Sequence, residues 1–218
     1  MPPAPPSRAP RPAPRLYLVT APVSDTAALA QALPAVFAAT DVAALLLRLA
    51  PADERTQVNR VKALAPLVQR QDVALLVEGD PGLAARGGAD GAHVTGTDAL
   101  KDALPRLKPE RIAGAGGLHS RHDAMVAGEA GADYVMFGEP DTRGHRPSLD
   151  AIAERVAWWS ELFEIPCVAY AERIEEIGEL CAAGADFIAV GEAIFADPRG
   201  LAAAMGEAAA RPASSRRA

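Results

Sequence analysis

Eight short apolar runs, separated by longer segments of helical pattern, follow one another from residue 16 onward, and few folds accommodate such a chain. The runs are LYLVT (16–20), VAALLLRL (42–49), VALLVE (73–78), GAHVT (91–95), RIAGAG (111–116), YVMFGE (134–139), PCVAYA (166–171) and FIAVGE (187–192). They are nearly continuous in apolar residues rather than alternating, the pattern of strands covered on both faces of a parallel sheet. Between them the helical period is plain. Over residues 53–68, Val58, Val61, Leu64, Leu67 and Val68 recur at spacings of three and four and share one face. Ser24, Asp98, Ser120 and Ser148 stand where helices are expected to start. Eight β/α units in roughly 200 residues imply an α/β fold, a single (βα)8 TIM barrel. An open doubly wound sheet is the rival, but no Gly-rich dinucleotide turn follows the first strand, and the regular count favours closure.

Three units share the tripeptide Gly-Ala-Asp, beginning at Gly88, Gly131 and Gly184, each just before a strand. Glycine supplies the left-handed conformation that ends a helix, and the short polar aspartate turns the chain into the strand. Two of these stretches continue as GADYVMFGE and GADFIAVGE, so their strands lead to Glu139 and Glu192. The heads of the repeat describe construction. The glutamate tails fall at C-terminal strand ends, the face on which barrel enzymes bind and react.

The ends of the chain read differently. Residues 1–14 are rich in Pro and Arg and are expected to form a disordered lead, with the barrel over 15–207 and a loose tail over 208–218. The lead lacks an apolar stretch of the secretory kind, and no window approaches 18 consecutive apolar residues, so neither export nor a membrane partner is expected. A net charge of −6 leaves no general nucleic-acid footprint. The two cysteines, Cys167 and Cys181, form no CxxC and read as buried thiols of a cytoplasmic protein. Lys62, Lys101 and Lys108 are the only lysines, and all fall in or beside helices, which disfavours Schiff-base chemistry on a strand.

In order and spacing, LYLVT at 16–20, GADGAHV followed by Asp98, IAGAGGLHS at 112–120, GADYVMFG, IPCVAYAERI and AAGADFIAV resemble successive segments of the thiamine-phosphate synthase and thiazole tautomerase superfamily. The likeness runs from residue 16 to about 205. It implies a role in thiamine biosynthesis, in which a pyrimidine diphosphate is joined to a thiazole phosphate. Diphosphate leaves with Mg²⁺ assistance, and the thiazole nitrogen captures the resulting pyrimidine cation.

The resemblance implies a set of site residues, and the chain departs from it at several. Arg48 matches the arginine of the second strand, while Leu46 and Ala50 replace a glutamine and a lysine. Glu78 and Gly79 stand where Asn-Asp is expected, so the implied metal positions are Glu78, Asp80 and Asp98. Gly117 (or Gly116, after a slip of one) replaces a serine that holds diphosphate, and His119 is retained. Glu139 stands where the tautomerase branch has a histidine. EPDTRGHR lacks a Thr-x-Thr-Lys run, Ala171-Glu172 replaces Gly-Gly, and Gly191-Glu192 replaces Val-Ser. Arg48, His119 and Glu139 are therefore the candidate catalytic residues, with Gly117, Glu172, Gly191 and Glu192 for substrate binding.

Glu172 and Glu192 fall beside the usual phosphate cup above strands seven and eight. Unit charges ~5 Å apart repel by roughly 3 kcal/mol at an effective dielectric near 20, which opposes a phosphate there. An oxygen-rich rim of Glu78, Asp80, Asp98, Glu139, Glu172 and Glu192, with His93 and His119, suits Mg²⁺ or Mn²⁺, or a cationic organic ligand. His93 reads either as a satisfied structural histidine or as a ligand, and Arg48 either as a substrate clamp or as the neutraliser of Glu78. Trp158 and Trp159 read as outer packing or a partner surface, and a homo-oligomer is allowed. Two further readings stay open: a non-catalytic barrel binding thiamine or a cationic precursor, and a metal-dependent isomerase or hydrolase working through Glu139.

Overall fold

The structure, a computed structural model, describes residues 13–200 together with Ala203 and Gly206. The lead up to residue 12 and the expected tail at 208–218 lie outside the described residues. Eight parallel strands close into a barrel in sequence order: β1 (Arg15–Val19), β2 (Val42–Leu47), β3 (Ala74–Glu78), β4 (Gly91–Thr95), β5 (Ile112–Gly116), β6 (Tyr134–Phe137), β7 (Cys167–Ala171) and β8 (Phe187–Val190). β8 pairs with β1 to complete the ring. Helices alternate with them: α1 (Thr26–Ala39), α2 (Glu54–Gln69), α3 (Pro81–Gly87), α4 (Thr97–Leu107), α5 (Arg121–Ala130), α6 (Leu149–Leu162), α7 (Ile177–Ala182) and α8 (Glu192–Phe195). No helix of the described residues is long and apolar enough to cross a membrane.

Two apolar layers hold this arrangement. One lies between strands and helices and includes Leu18, Leu45, Leu75, Val135 and Ile188, each fully buried, together with Leu33, Leu64, Leu100 and Trp159 from the helices. The second fills the barrel interior with Tyr17, Val19, Leu46, Leu76, Tyr134, Met136, Val168, Tyr170 and small alanines. Large and small residues alternate around the interior. Tyr17 lies in register with Ala44 and Ala189, and Gly114 separates His93 from Tyr134. A Cβ on Gly114 would stand 2.0 Å from the Tyr134 ring, so only glycine leaves room there. Trp159 belongs to the core rather than to an outer surface: it is fully buried, stacks on Phe163, and donates its indole N–H to the carbonyl of Ile165.

The Gly-Ala-Asp repeat acquires a fuller explanation. Gly88 and Gly131 are left-handed caps of α3 and α5, and Gly184 has φ of 95° after α7. Each aspartate then grips the first turns of the preceding strand through two groups. Asp90, Asp133 and Asp186 donate their own N–H to the carbonyls of Leu75, Ala113 and Cys167. Their carboxylates accept the N–H of those same residues at 2.7, 2.7 and 2.9 Å. The side chain thus imitates a ladder partner at the bottom of the barrel, where the next strand has not yet begun.

Several boundaries differ from the sequence pattern. α1 is capped by Asp25, not Ser24, and Asp98 lies in the first turn of α4 behind an N-cap at Gly96. β2, β6 and β8 end two residues before the apolar runs do. Gly138, with φ of 90°, turns the chain after β6, so Glu139 lies beyond the strand rather than at its end. Ser120 and Ser148 cap α5 and α6, the former in a reciprocal capping box with Asp123.

Candidate active site at the barrel mouth

At the C-terminal face the rim carboxylates do not converge on one point; each is engaged separately. Arg48 follows β2 and pairs with Glu78 at the end of β3, with 3.1 Å between Nε and the carboxylate, and both are partly exposed. The arginine therefore neutralises Glu78, while its exposed edge stays available at the mouth. Asp80 is the N-cap of α3 and accepts the N–H groups of Gly82 and Leu83 on Oδ1. Asp98 is 95 % exposed, with Lys101 3.6 Å away. Among the described residues no three His, Cys, Asp or Glu side chains stand together as a metal cage.

Glu139 is held differently. Its Oε2 lies 3.2 Å from His93 Nε2, and the carboxylate rests over Gly116, where a Cβ would stand 2.3 Å from both oxygens. His93 is 2 % exposed, and its Nδ1 lies 2.9 Å from the Tyr134 hydroxyl. That hydroxyl lies 2.7 Å from the hydroxyl of Tyr17. The imidazole also stacks on the Tyr134 ring with centroids 5.7 Å apart. A chain of four polar groups therefore runs through an otherwise apolar interior up to the rim. Burial pushes both phenols far above their ordinary pKa, with the negative field of Glu139 adding to it, so both stay protonated.

Above β7 a second cluster forms around Arg146 from the loop before α6. Its side chain is only 9 % exposed. Nη1 donates to Glu172 at 3.1 Å and to Glu176 at 2.9 Å, and Nη2 to the Tyr170 carbonyl. Glu176 also accepts the Glu172 N–H. Burial would raise the pKa of Glu176, but the hydrogen bonds from Arg146 and Glu172 and the nearby Arg173 outweigh it and hold the carboxyl below its ordinary value. Glu172 itself is 64 % exposed. Gly191 is buried, and a Cβ there would stand 2.7 Å from the Tyr170 hydroxyl. Glu192 opens α8.

A cavity of about 290 Å³ opens between β4 and β5 at the same face, lined by Thr95, Gly96, Asp98, Gly117, His119 and Asp123 among others. The start of α4 faces this cavity without a side-chain cap, which leaves its first-turn N–H groups open to an anion. Gly117 has φ of 61° and packs on Thr95, so a side chain there would be both strained and crowded. His119 is exposed, and its carbonyl accepts from Arg155, which ties the cavity wall to α6. Asp98, Gly117 and His119 thus share one cavity. Glu139 and the cluster around Glu172 belong to other parts of the rim.

Sequence reasoning did not single out Tyr17, Tyr134, Arg146 or Glu176. The tyrosines had a usable signal, since a polar atom on a strand buried on both faces must find a partner, and glycines on the neighbouring strand make room for one. Arg146 and Glu176 had none, because the loop that brings them together has no periodic pattern.

Comparison with known proteins agrees with the barrel fold. Residues 16–194 match the family model described as thiamine monophosphate synthase. The chain is 43 % identical over 196 residues to a thiamine-phosphate synthase of Rhodospirillum centenum, covering 88 % of this chain and 95 % of that protein. It is 36 % identical over 204 residues to the thiamine-phosphate synthase of Hyphomonas neptunium, covering 90 % and 92 %. Among solved structures, thiamine phosphate pyrophosphorylase from Pyrococcus furiosus superposes with a TM-score of 0.74 at 22 % identity, over 92 % of this chain and 96 % of that one. A 3-hexulose-6-phosphate synthase superposes with a TM-score of 0.69 at 16 % identity, over 90 % and 99 %. At such identities the two structures speak for the fold alone.

Proposed function

The chain belongs to the thiamine monophosphate synthase family, and from that premise we propose that it joins a pyrimidine diphosphate to a thiazole phosphate at the barrel mouth. The observation that carries this reading is the cavity at the uncapped start of α4, where open N–H groups, Gly117 and Asp98 meet. A diphosphate seated there would accept hydrogen bonds from the helix start, and the exposed edge of Arg48 would offset its charge. The donors also suit Mg²⁺, which commonly binds through one or two carboxylates and completes its shell with water and substrate phosphate oxygens. Asp98 would hold it, together with the uncapped Oδ2 of Asp80. Once bound, the ion would supply charge neutralisation for the departing diphosphate. Glu172 opposes a phosphate above β7 less than its charge alone suggests, because Arg146 already pairs with it.

The test is formation of thiamine phosphate from the two phosphorylated precursors with Mg²⁺ present. Asp98→Ala and Arg48→Ala should each lower kcat/KM by at least about a hundredfold, the scale for removing one electrostatic stabiliser. No turnover by folded wild-type protein refutes the proposal. A second reading, in which the barrel binds thiamine or a cationic precursor without turnover, is favoured by the replacement of a strand-two glutamine by the buried Leu46. Calorimetry would then show tight binding of unphosphorylated ligands and none of phosphate esters. A cytoplasmic location accords with this biosynthetic role, and the thiols of Cys167 and Cys181, buried and half-buried, accord with it too.

A further inference from the structure

With a neutral imidazole and an ionised carboxylate, the interior chain Tyr17–Tyr134–His93–Glu139 has only one arrangement of protons that satisfies every member. A carboxylate only accepts, so His93 Nε2 must carry the hydrogen that points to Glu139. In the neutral imidazole Nδ1 is then bare and accepts the Tyr134 O–H. Tyr134 oxygen in turn accepts the Tyr17 O–H. The two phenols cannot supply a charge of their own, since burial keeps them protonated. The donors therefore all run toward the rim and end on Glu139 Oε2, leaving Oε1 without a protein partner among the described residues.

Glycines fix the geometry of this chain. Gly114 lets the His93 and Tyr134 rings stack across β5, and Gly116 provides the floor on which the Glu139 carboxylate lies. The surrounding interior wall is apolar, with Val19, Leu46, Leu76 and Met136. An oriented carboxylate above an apolar interior is complementary to a flat ring that offers N–H donors along one edge, and it is hostile to a phosphate.

We propose that Glu139, positioned by His93, Tyr134 and Tyr17, is the residue that recognises the amino edge of an aminopyrimidine-type heteroaromatic base in this barrel. The assignment rests on the barrel mouth being the substrate site. Glu139 touches the ligand, whereas His93 and the tyrosines act through it.

Calorimetry with 4-amino-2-methylpyrimidine and with its isostere 2,4-dimethylpyrimidine, which lacks the amine, tests this on the full chain. Wild-type protein should bind the amine at least tenfold tighter. Glu139→Gln should remove most of that ratio, and Tyr134→Phe, which keeps the ring packed on Gly114, should cut it severalfold. Nitrogen-15 NMR should find His93 as the Nε2–H tautomer in wild type and mixed tautomers in Tyr134→Phe, a change that a purely structural tyrosine would not produce. Equal binding of the two probes, an unchanged ratio in Glu139→Gln, or an Nδ1–H tautomer in wild type overturns the inference. Absence of thiamine phosphate turnover with ring discrimination intact would refute only the proposed reaction. Turnover without discrimination would refute only the role of Glu139.

Discussion

Replacing Asp186 by alanine removes a carboxylate, and the structure gives one of its oxygens a specific duty. Asp186 Oδ2 accepts the N–H of Cys167 at 2.9 Å, and Cys167 is fully buried at the start of β7. The neighbouring backbone bond, from Asp186 N to the Cys167 carbonyl at 3.1 Å, would remain. Alanine therefore takes a charged acceptor away from a buried N–H. A hydrogen bond to a charged group contributes about 1.5–3 kcal/mol, and a stranded buried donor costs about 1–3 kcal/mol, two views of one loss that centre near 2 kcal/mol. For a domain of this size each kcal/mol moves Tm by about 2–4 °C, so the expected drop is about 4–8 °C. Asn keeps an acceptor oxygen in the same place and should lose about half as much. Urea unfolding followed by circular dichroism would check this, with a lower midpoint at unchanged m-value for alanine and an intermediate one for asparagine. Were the aspartate only a turn residue, alanine would shift stability by less than about 0.5 kcal/mol, and that result would refute the clamp. Asp90→Ala and Asp133→Ala should behave alike, since they strand the N–H groups of Leu75 and Ala113.

The buried tyrosines set an alkaline limit. Their pKa is raised on folding, so the stability they contribute is intact below the ordinary value of 10.0 and falls as pH rises beyond it. Each should remove about 1.4 kcal/mol per pH unit above 10, and Tyr134→Phe should measurably flatten that slope in unfolding titrations. The acid side has the opposite sign. Glu176 has a lowered pKa, so its contribution holds above the ordinary carboxylate value and disappears as pH falls through the lowered one. Arg146→Met should abolish that part of the acid dependence in thermal melts. Gly116→Ala should barely change Tm, because the clash falls on the mobile end of Glu139. The carboxylate must move about 1 Å to reach normal contact, which breaks its bond to His93 and should lower aminopyrimidine binding as far as Glu139→Gln does.

The apolar runs mark strands covered on both faces, and closure into a barrel could be read from the regular count of eight β/α units; all eight strands appear within two residues of the expected bounds. The glycines before the strands could be read for the same kind of reason, since a left-handed residue admits few substitutes. The aspartate clamp could not, because its partner is a backbone N–H some 15–20 residues away in sequence, and backbone groups leave no mark in the composition. The arrangement of the rim was less legible than the fold. Asp98, Gly117 and His119, named by the resemblance, line one cavity, but nothing in the sequence told which rim carboxylates would find cations. Arg146 lies 26 and 30 residues from its partners, in a loop without periodicity.

That pairing changes the electrostatic argument about substrate. Taken as bare charges, the rim glutamates repel a phosphate by several kcal/mol. In the folded chain Glu78 is matched by Arg48, while Glu172 and Glu176 share Arg146. A cation about 3 Å from a carboxylate turns its long-range field into that of a dipole, which falls off faster than a charge. Glu139 has no arginine or lysine beside it; only the His93 ring stands behind it. Glu139 thus presents a carboxylate near β6, while the open N–H groups of α4 lie on the β4–β5 side. A ligand that carries phosphate at one end and an amino-bearing ring at the other would find each end matched. This polarity favours a pyrimidine diphosphate over a substrate that is uniformly anionic.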